Sequence, residues 1–174
     1  SMELGGNAPF LVCKDADLNA ALDGAMLAKM RNSGEACTAA NRFYVHKDLY
    51  KGFTDGIVKR MSGIKLGDAV DPDSTLGPMI NEKAVAKIGE LVEDAVAKGA
   101  KLLLGGQRLN RPGFYYPPTV LADVPDNADM IREEIFGPVV SLQSFDDEAE
   151  AIRKANDTEN GLAAYLYTQD LKRG

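Results

Sequence analysis

The sequence has few of the residues on which metal, disulfide and membrane sites depend. Its 174 residues include one histidine, two cysteines and no tryptophan. One imidazole and two distant thiols cannot complete a tetrahedral site, so no metal is expected. Two cysteines also exclude a disulfide scaffold and favour a reducing compartment. No run approaches the ~18 apolar residues of a membrane-spanning helix, and no secretion leader is visible, so we expect a cytoplasmic protein.

The charge balance disfavours anionic partners. Twenty Lys and Arg residues stand against 26 Asp and Glu residues, for a net charge of −6. Such a surface repels phosphate backbones and anionic lipids, so we expect neither nucleic acid nor a membrane as a partner. Hydrophobic residues make up 45%, enough for one domain or a piece of a larger one. Ser1 and Met2 are interpreted as a remnant of tag removal, and 3–174 as the folded part.

Strand-like and helix-like apolar spacings alternate along the chain. Helices are predicted from Asp17 to about Arg31, over 47–62, after Asn81, and after the pair at 146–147. Asp17, Asn81 and the pair at 146–147 are the predicted N-caps. Short apolar runs predict strands at 10–13, 42–45, 102–104, 119–124, 139–145 and 162–168. This alternation predicts an α/β fold with an open, largely parallel sheet and helices on both faces.

The two cysteines have different sequence surroundings. Cys13 lies in an apolar run and fits an inert buried residue, whereas Cys37 lies in a bend of small residues that can reach the rim of a sheet, where ligands bind. By spacing alone, an inert role is also the more common one for Cys37. A cysteine hydrolase would need His46 beside Cys37. An extended chain would put them roughly 25–30 Å apart, so we interpret His46 as a surface residue.

Two acidic positions are ambiguous by spacing. Glu3 precedes a Gly-Gly turn that can present a carboxylate to a cleft, and it can equally be a solvated terminal acid. Glu133 and Glu134 precede an aromatic residue and a turn, where a carboxylate can hold a ribose hydroxyl or face solvent. The sequence pattern leaves both alternatives open.

Four segments together resemble the NAD(P)-dependent aldehyde dehydrogenases. They follow in that family's order and approximate spacing: ELGGNAP at 3–9, GEAC at 34–37 with NR at 41–42, LGP at 76–78, and EEIFGP at 133–138. Details at 31–32, 41–42, 157–159 and 161–165 look most like the succinate-semialdehyde dehydrogenase branch. The resemblance implies a truncated catalytic domain over 3–174, with the family's cofactor-binding domain and C-terminal segment lying outside it.

The resemblance also implies roles for five residues. Cys37 would add to the aldehyde carbonyl and form a thiohemiacetal. Glu3 would activate the water that hydrolyses the thioester left after hydride transfer to NAD or NADP. Glu134 would hold the nicotinamide-side ribose, with Phe136 packing near the nicotinamide. Arg31 would contact the carboxylate of succinate semialdehyde.

Further expectations concern partners and activity. The resemblance implies a small aldehyde substrate and a parent protein that is a homo-oligomer. Without the dinucleotide domain, 3–174 alone is expected neither to bind NAD(P) tightly nor to turn over. Two alternatives stay open: a different aldehyde substrate class, and a purely structural or interaction module whose apolar faces associate. Glu35 stands where the family commonly has Gln, and a nearby anion disfavours the thiolate of Cys37.

Overall fold

A six-stranded sheet forms the middle of the molecule in the computed structural model, which describes residues 4–68 and 70–173. The strand order is β3-β4-β5-β2-β1-β6. Every neighbouring pair is parallel except β3 and β4, so the predicted largely parallel sheet is confirmed. The strands are β1 (Ala8–Val12), β2 (Ala40–His46), β3 (Lys101–Leu104), β4 (Thr119–Ala122), β5 (Val139–Phe145) and β6 (Tyr165–Tyr167).

Helices cover the sheet and begin at the predicted caps. Side chains of Asp17, Asn81 and Asp147 each accept a hydrogen bond from a first-turn backbone N–H. The helices are α1 (Leu18–Met30), α2 (Lys47–Ser62), α3 (Glu82–Ala97), α4 (Asp129–Arg132) and α5 (Glu148–Asn156). The sequence did not predict α4, because four residues are too few to show a helical period. None of the helices in the described ranges has the length and apolar content to cross a bilayer.

The core lies on both faces of the sheet, as predicted. Successive strand residues point to opposite sides. Phe10 and Phe43 therefore pack with α1 and α2 on one face, while Leu11 and Tyr44 pack with α5 on the other. A third apolar cluster joins α3 and α4 to that second face near β4. Because apolar clusters pack on both faces, the strands have fixed positions, and the strand ends in turn position the loops that join them.

His46 corrects a sequence prediction. It is only 6% exposed, not a surface residue, and its Nδ1 accepts a hydrogen bond from the backbone N–H of Asp48 at 3.2 Å. The ring also meets Phe145 edge-on, with centroids 5.5 Å apart. The prediction failed because the chain passes directly from β2 into α2, so the imidazole takes the place of the usual N-cap side chain.

Candidate active site

Four loops meet where the parallel strands begin. Residues 4–7 precede β1, 35–39 precede β2, 133–138 precede β5 and 157–164 precede β6. Because β5, β2, β1 and β6 are adjacent and parallel, these loops share one edge of the sheet. Ligands in open α/β sheets usually bind at the opposite, carboxyl edge. The bend at Cys37 is thus at a sheet rim, as the sequence suggested, but at the less usual one.

Cys37 lies half-buried in a sharply folded bend. Helix α1 ends in a 3-10 turn, Arg31–Gly34, in which Asn32 and Ser33 take left-handed φ values of 52° and 59°. This turn redirects the chain back to the sheet edge. Cys37 lines a pocket of about 360 Å³ with Leu4, Gly5 and residues 159–162. It therefore borders accessible space.

Cys13 also borders a cavity, of about 330 Å³, but it is more deeply buried than Cys37. Its side chain is buried, and burial raises the pKa of its thiol. A thiol is nucleophilic only as the thiolate, so this environment makes Cys13 unreactive. The prediction that Cys13 is a buried residue is confirmed.

The backbone at Gly6 touches the Cys37 bend. A Cβ on Gly6 would lie 1.9 Å from the carbonyl oxygen of Cys37, so only glycine fits. The Gly6 N–H donates a hydrogen bond to Oε1 of Glu134 at 2.8 Å. A Cβ on Gly5 would lie 3.2 Å from Oε2 of the same carboxylate. Glu134 therefore lies beside the Gly-Gly turn and close to the Cys37 bend.

The two adjacent acids have different surroundings. Glu133 forms an exposed ion pair with Lys87, which raises the pKa of that lysine. Glu134 is half-buried and turned toward Gly6, and Phe136 presents an aromatic ring that is 41% exposed. The two acids thus differ in position: Glu133 faces solvent, whereas Glu134 turns toward Gly6 at the amino edge of the sheet.

The Gly-Gly segment is held from two sides. The Asn7 amide donates to the Ile131 carbonyl at 3.1 Å. The fully buried Arg42 guanidinium donates to the Asn7 carbonyl at 3.0 and 2.8 Å. It also donates to the carbonyls of Lys154 and Ala155 at the end of α5. These bonds fix the approach of the segment to the Cys37 bend.

Arg31 lies on the far side of the same bend. Its Nη2 is 3.5 Å from the Thr38 hydroxyl, and it lines a separate pocket of about 200 Å³ with Ala36 and Thr38. The Tyr165 hydroxyl donates to the Thr38 carbonyl at 2.7 Å. Arg31 and Cys37 therefore flank one short stretch of chain but border different pockets.

The Glu35 side chain links the Cys37 bend to another loop. Its Oε1 accepts a hydrogen bond from the Ile80 N–H at 3.2 Å, which ties the bend to the loop before α3. Partial burial raises the pKa of Glu35, and this hydrogen bond opposes the rise. The sequence had suggested only a charge near the nucleophile, but the carboxylate has a structural partner.

Sequence reasoning missed Lys29. Its side chain is fully buried, and Nζ donates to Asn41 Oδ1 at 2.8 Å and to the Ile135 carbonyl at 3.1 Å. Burial lowers the pKa of Lys29 to about 7, and the Glu134 carboxylate opposes this. A signal was present, since Lys29 follows Leu22 by seven residues and so lies on the buried stripe of α1.

The loop before β6 was also missed. Residues 159–162 line the pocket with Cys37, although the sequence pattern marked this stretch only as a turn and a point of resemblance. Glu3, the predicted general base, lies outside the described residues. Within those residues, no group of three or more His, Cys, Asp or Glu side chains is placed to hold a metal.

Comparisons with known proteins agree on one family. A model described as "Aldehyde dehydrogenase family" matches residues 1–174. The chain is 50% identical over 173 residues to the NADP(+) succinate-semialdehyde dehydrogenase GabD of Escherichia coli, covering 99% of this chain and 36% of that protein. It is 48% identical to a glutarate-semialdehyde dehydrogenase of Pseudomonas putida, covering 99% of this chain and again 36% of the relative.

A solved structure is equally similar. The crystal structure of a succinate-semialdehyde dehydrogenase from Burkholderia pseudomallei superposes with a TM-score of 0.96 at 48% identity, covering 99% of this chain and 36% of that chain. The chain thus spans about a third of the length of the relatives it matches. The α/β fold predicted from the sequence is that of these enzymes over the matched part.

Proposed function

The chain belongs to the aldehyde dehydrogenase family, and on that premise we propose that the protein oxidises a small aldehyde to its carboxylic acid with NAD or NADP. Succinate semialdehyde is the substrate we favour. Glutarate semialdehyde, which also has a remote carboxylate, is the second candidate. The observation that carries the proposal is Cys37, bordering an open pocket at the sheet edge where the Gly-Gly turn and Glu134 meet.

Cys37 acts as the nucleophile in this proposal. The thiol first loses its proton to solvent water. The thiolate sulfur then forms a bond to the aldehyde carbon as the carbonyl π bond breaks, and the carbonyl oxygen becomes an oxyanion that the backbone N–H of Cys37 stabilises. A nicotinamide dinucleotide held by Glu134 and Phe136 would supply the hydride acceptor that oxidation of the Cys37 thiohemiacetal to a thioester requires. Glu3 then takes a proton from the water that releases the acid, and the thiol is restored. No leaving amine needs an acid, so the chemistry requires no histidine.

Glu134 and Phe136 are the residues that would hold the nicotinamide half of the cofactor. A carboxylate accepts hydrogen bonds from two ribose hydroxyls, and its approach here is left open by Gly5, which has no Cβ. The half-exposed Phe136 ring offers an apolar surface to an aromatic ring. The residues present therefore fit this half of the dinucleotide.

Arg31 would bind the carboxylate at the far end of the substrate. A guanidinium is a planar donor fork that suits a carboxylate, and Arg31 is exposed one side-chain length from the Cys37 bend. The hydrogen bond that Arg31 now donates to the Thr38 hydroxyl is long, at 3.5 Å, and therefore weak enough for a substrate carboxylate to replace it.

The test is a dehydrogenase assay of the full-length protein with NAD or NADP. We expect NAD(P)H production with succinate semialdehyde. In Arg31→Leu, kcat/KM for this substrate should fall about 10–100-fold, the size of a lost charged hydrogen bond. For butanal, which has the same chain length without the carboxylate, kcat/KM of Arg31→Leu should differ from that of the wild type by less than about twofold. Arg108→Leu, which alters an arginine paired with Glu82 away from the four loops, is the matched control.

Two results would contradict the proposal at different levels. If no aldehyde supports NAD(P)H production, the dehydrogenase function is wrong. If Arg31→Leu slows butanal and succinate semialdehyde equally, the protein remains a dehydrogenase, but Arg31 does not select the carboxylate.

A further inference from the structure

A buried lysine connects two of the loops at the site edge. Lys29 lies in the last turn of α1, eight residues before Cys37, with a side chain that is fully buried. Its Nζ bonds to Asn41, at the start of β2 just after the Cys37 bend, and to the carbonyl of Ile135, the residue after Glu134. One nitrogen thus joins both ends of the bend to the Glu134 turn.

The same two segments are packed against each other directly. A Cβ on Gly34, in the turn that leads to Cys37, would lie 2.3 Å from the carbonyl oxygen of Gly137. Because these two backbones are in contact, a shift of the Ile135 carbonyl that Lys29 holds would also shift the turn at Gly34. The position of Lys29 therefore affects both segments. Burial of an amine costs free energy unless hydrogen-bond partners compensate for the lost water, as the partners of Lys29 do.

We propose that Lys29 is a positioning residue that holds the Cys37 bend and the Glu134 turn in fixed relation to each other. This inference rests on the proposed function, since it is the cofactor role of Glu134 that makes the fixed relation useful. Lys29 touches neither reacting group in the proposal and acts through Ile135 and Asn41.

The charge of Lys29 adds a property that a simple packing role would lack. A neutral amine has two N–H groups, enough for Asn41 and Ile135, so these bonds survive deprotonation. The attraction between the ammonium and the Glu134 carboxylate does not. Within the described part of the chain, Glu134 is the charged group that acts on Lys29, and burial lowers the lysine pKa to about 7. The hold on Glu134 should therefore weaken as the pH rises through neutrality.

The experiment measures cofactor affinity in the full-length protein by calorimetry with NADP and NAD, without substrate. Lys29→Met keeps the length of the side chain and removes its donors. We expect its Kd to be about tenfold larger than that of the wild type, as for a lost charged hydrogen bond. We also expect the wild-type Kd to rise about threefold from pH 6 to pH 8.5, and the Lys29→Met Kd to stay flat.

Leu22→Ala is the matched control on the same helix. Leu22 packs against α2 at Gly56, away from the four loops, so its truncation destabilises the core without touching the Glu134 turn. We expect a lower Tm with an unchanged Kd and an unchanged pH profile. Should Leu22→Ala weaken cofactor binding as much as Lys29→Met, Lys29 is merely structural and the inference is wrong.

The remaining outcomes separate the inference from the proposed function. Wild-type protein that binds neither NAD nor NADP overturns both. Tight wild-type binding with the same Kd and pH profile in Lys29→Met overturns the inference alone. If Lys29→Met does not fold, Lys29→Gln replaces it, because it keeps two N–H donors without charge. Its pH profile must then be flat, and a retained pH step refutes the proposal.

Discussion

The two edges of the sheet each contain one cysteine, in contrasting surroundings. Cys13 directly follows β1 at the carboxyl edge, where its side chain is 5% exposed and burial raises the pKa of its thiol. Cys37 lies in the bend before β2 at the amino edge and borders a pocket of about 360 Å³. Both cysteines border a cavity, but the Cys13 side chain is buried, whereas Cys37 is half-buried among the four loops at the amino edge.

The loops explain this difference. At the carboxyl edge the chain passes from β2 straight into α2, and His46 caps the helix. The cavity of about 330 Å³ that Cys13 lines there is walled mainly by side chains of β1, α5 and β6. At the amino edge, Gly6 lets two backbones touch, and left-handed residues at 32–33 reverse the chain. Close backbone approach and strained turns are common at functional sites, because they hold side chains where ordinary loops would not.

The largest expected effect separates the two cysteines directly. Cys37→Ala in the full-length protein should lower dehydrogenase kcat by about 10³-fold or more, as expected for a lost nucleophile. Cys13→Ala should keep activity within about twofold and lower stability by about 1 kcal/mol, because it loses only packing. NAD(P)H production and thermal unfolding of both variants give the measurement. A loss of activity in Cys13→Ala at unchanged fold would reverse the comparison.

The next effect tests the close approach of the Gly-Gly turn. Gly6→Ala places a Cβ 1.9 Å from the Cys37 carbonyl oxygen, so the two backbones must separate by about 1 Å or more. A displacement of that size costs about 10²-fold in kcat/KM.

Gly89→Ala is the control for the same substitution. Nothing lies within 4 Å of the added Cβ in the middle of α3, so we expect unchanged activity and a gain of up to about 1 kcal/mol in stability. Full activity in Gly6→Ala would show that the contact between the two backbones does not position the nucleophile.

The smallest effect concerns Glu35. Burial raises its pKa in the folded state, so folding favours the protonated acid. Ionisation therefore costs stability, and this cost is absent below the ordinary carboxyl pKa and present once the pH exceeds the folded pKa. Glu35→Gln keeps an oxygen for the Ile80 N–H and removes the charge. We expect it to be more stable by about 0.5 kcal/mol at pH 7, a small gain because the carboxylate is partly solvated.

Urea unfolding at two pH values measures this effect. The gain should disappear near pH 3, where Glu35 is protonated anyway, and the exposed Glu90→Gln on α3 should show no gain at either pH. Equal free energies of unfolding for Glu35→Gln and the wild type at pH 7 would mean that ionisation of the Glu35 carboxyl does not destabilise the folded protein.

Local patterns predicted much of the fold. Apolar periodicity located the four long helices, and the caps at Asp17, Asn81 and Asp147 were correct because capping depends on the adjacent backbone alone. β6 was predicted over seven residues and has three, since its length is decided by its pairing with β1. His46 was misjudged for a similar reason, as burial at a strand end depends on what packs above it.

The candidate site was only partly predictable. Motif resemblance named five residues, of which Glu3 lies outside the described residues. The structure places Cys37, Glu134 and Phe136 at one edge of the sheet, and Arg31 beside the Cys37 bend. The resemblance did not predict that Glu134 accepts a hydrogen bond from Gly6, or that Glu133 pairs with Lys87 instead. Those contacts span 128 and 46 residues of chain, and no local rule specifies them.

The sequence by itself determined the helices, the strands, the family and the candidate nucleophile, because each depends on neighbours along the chain or on a short motif. Only the tertiary structure decided how deeply each cysteine is buried, which of two adjacent glutamates turns toward Gly6, and that a lysine in α1 is buried between the Cys37 bend and the Glu134 turn. These outcomes depend on strand order. By placing β5, β2, β1 and β6 side by side, the sheet brings together loops that are far apart in the chain, and hydrogen bonds across that edge fix the side chains.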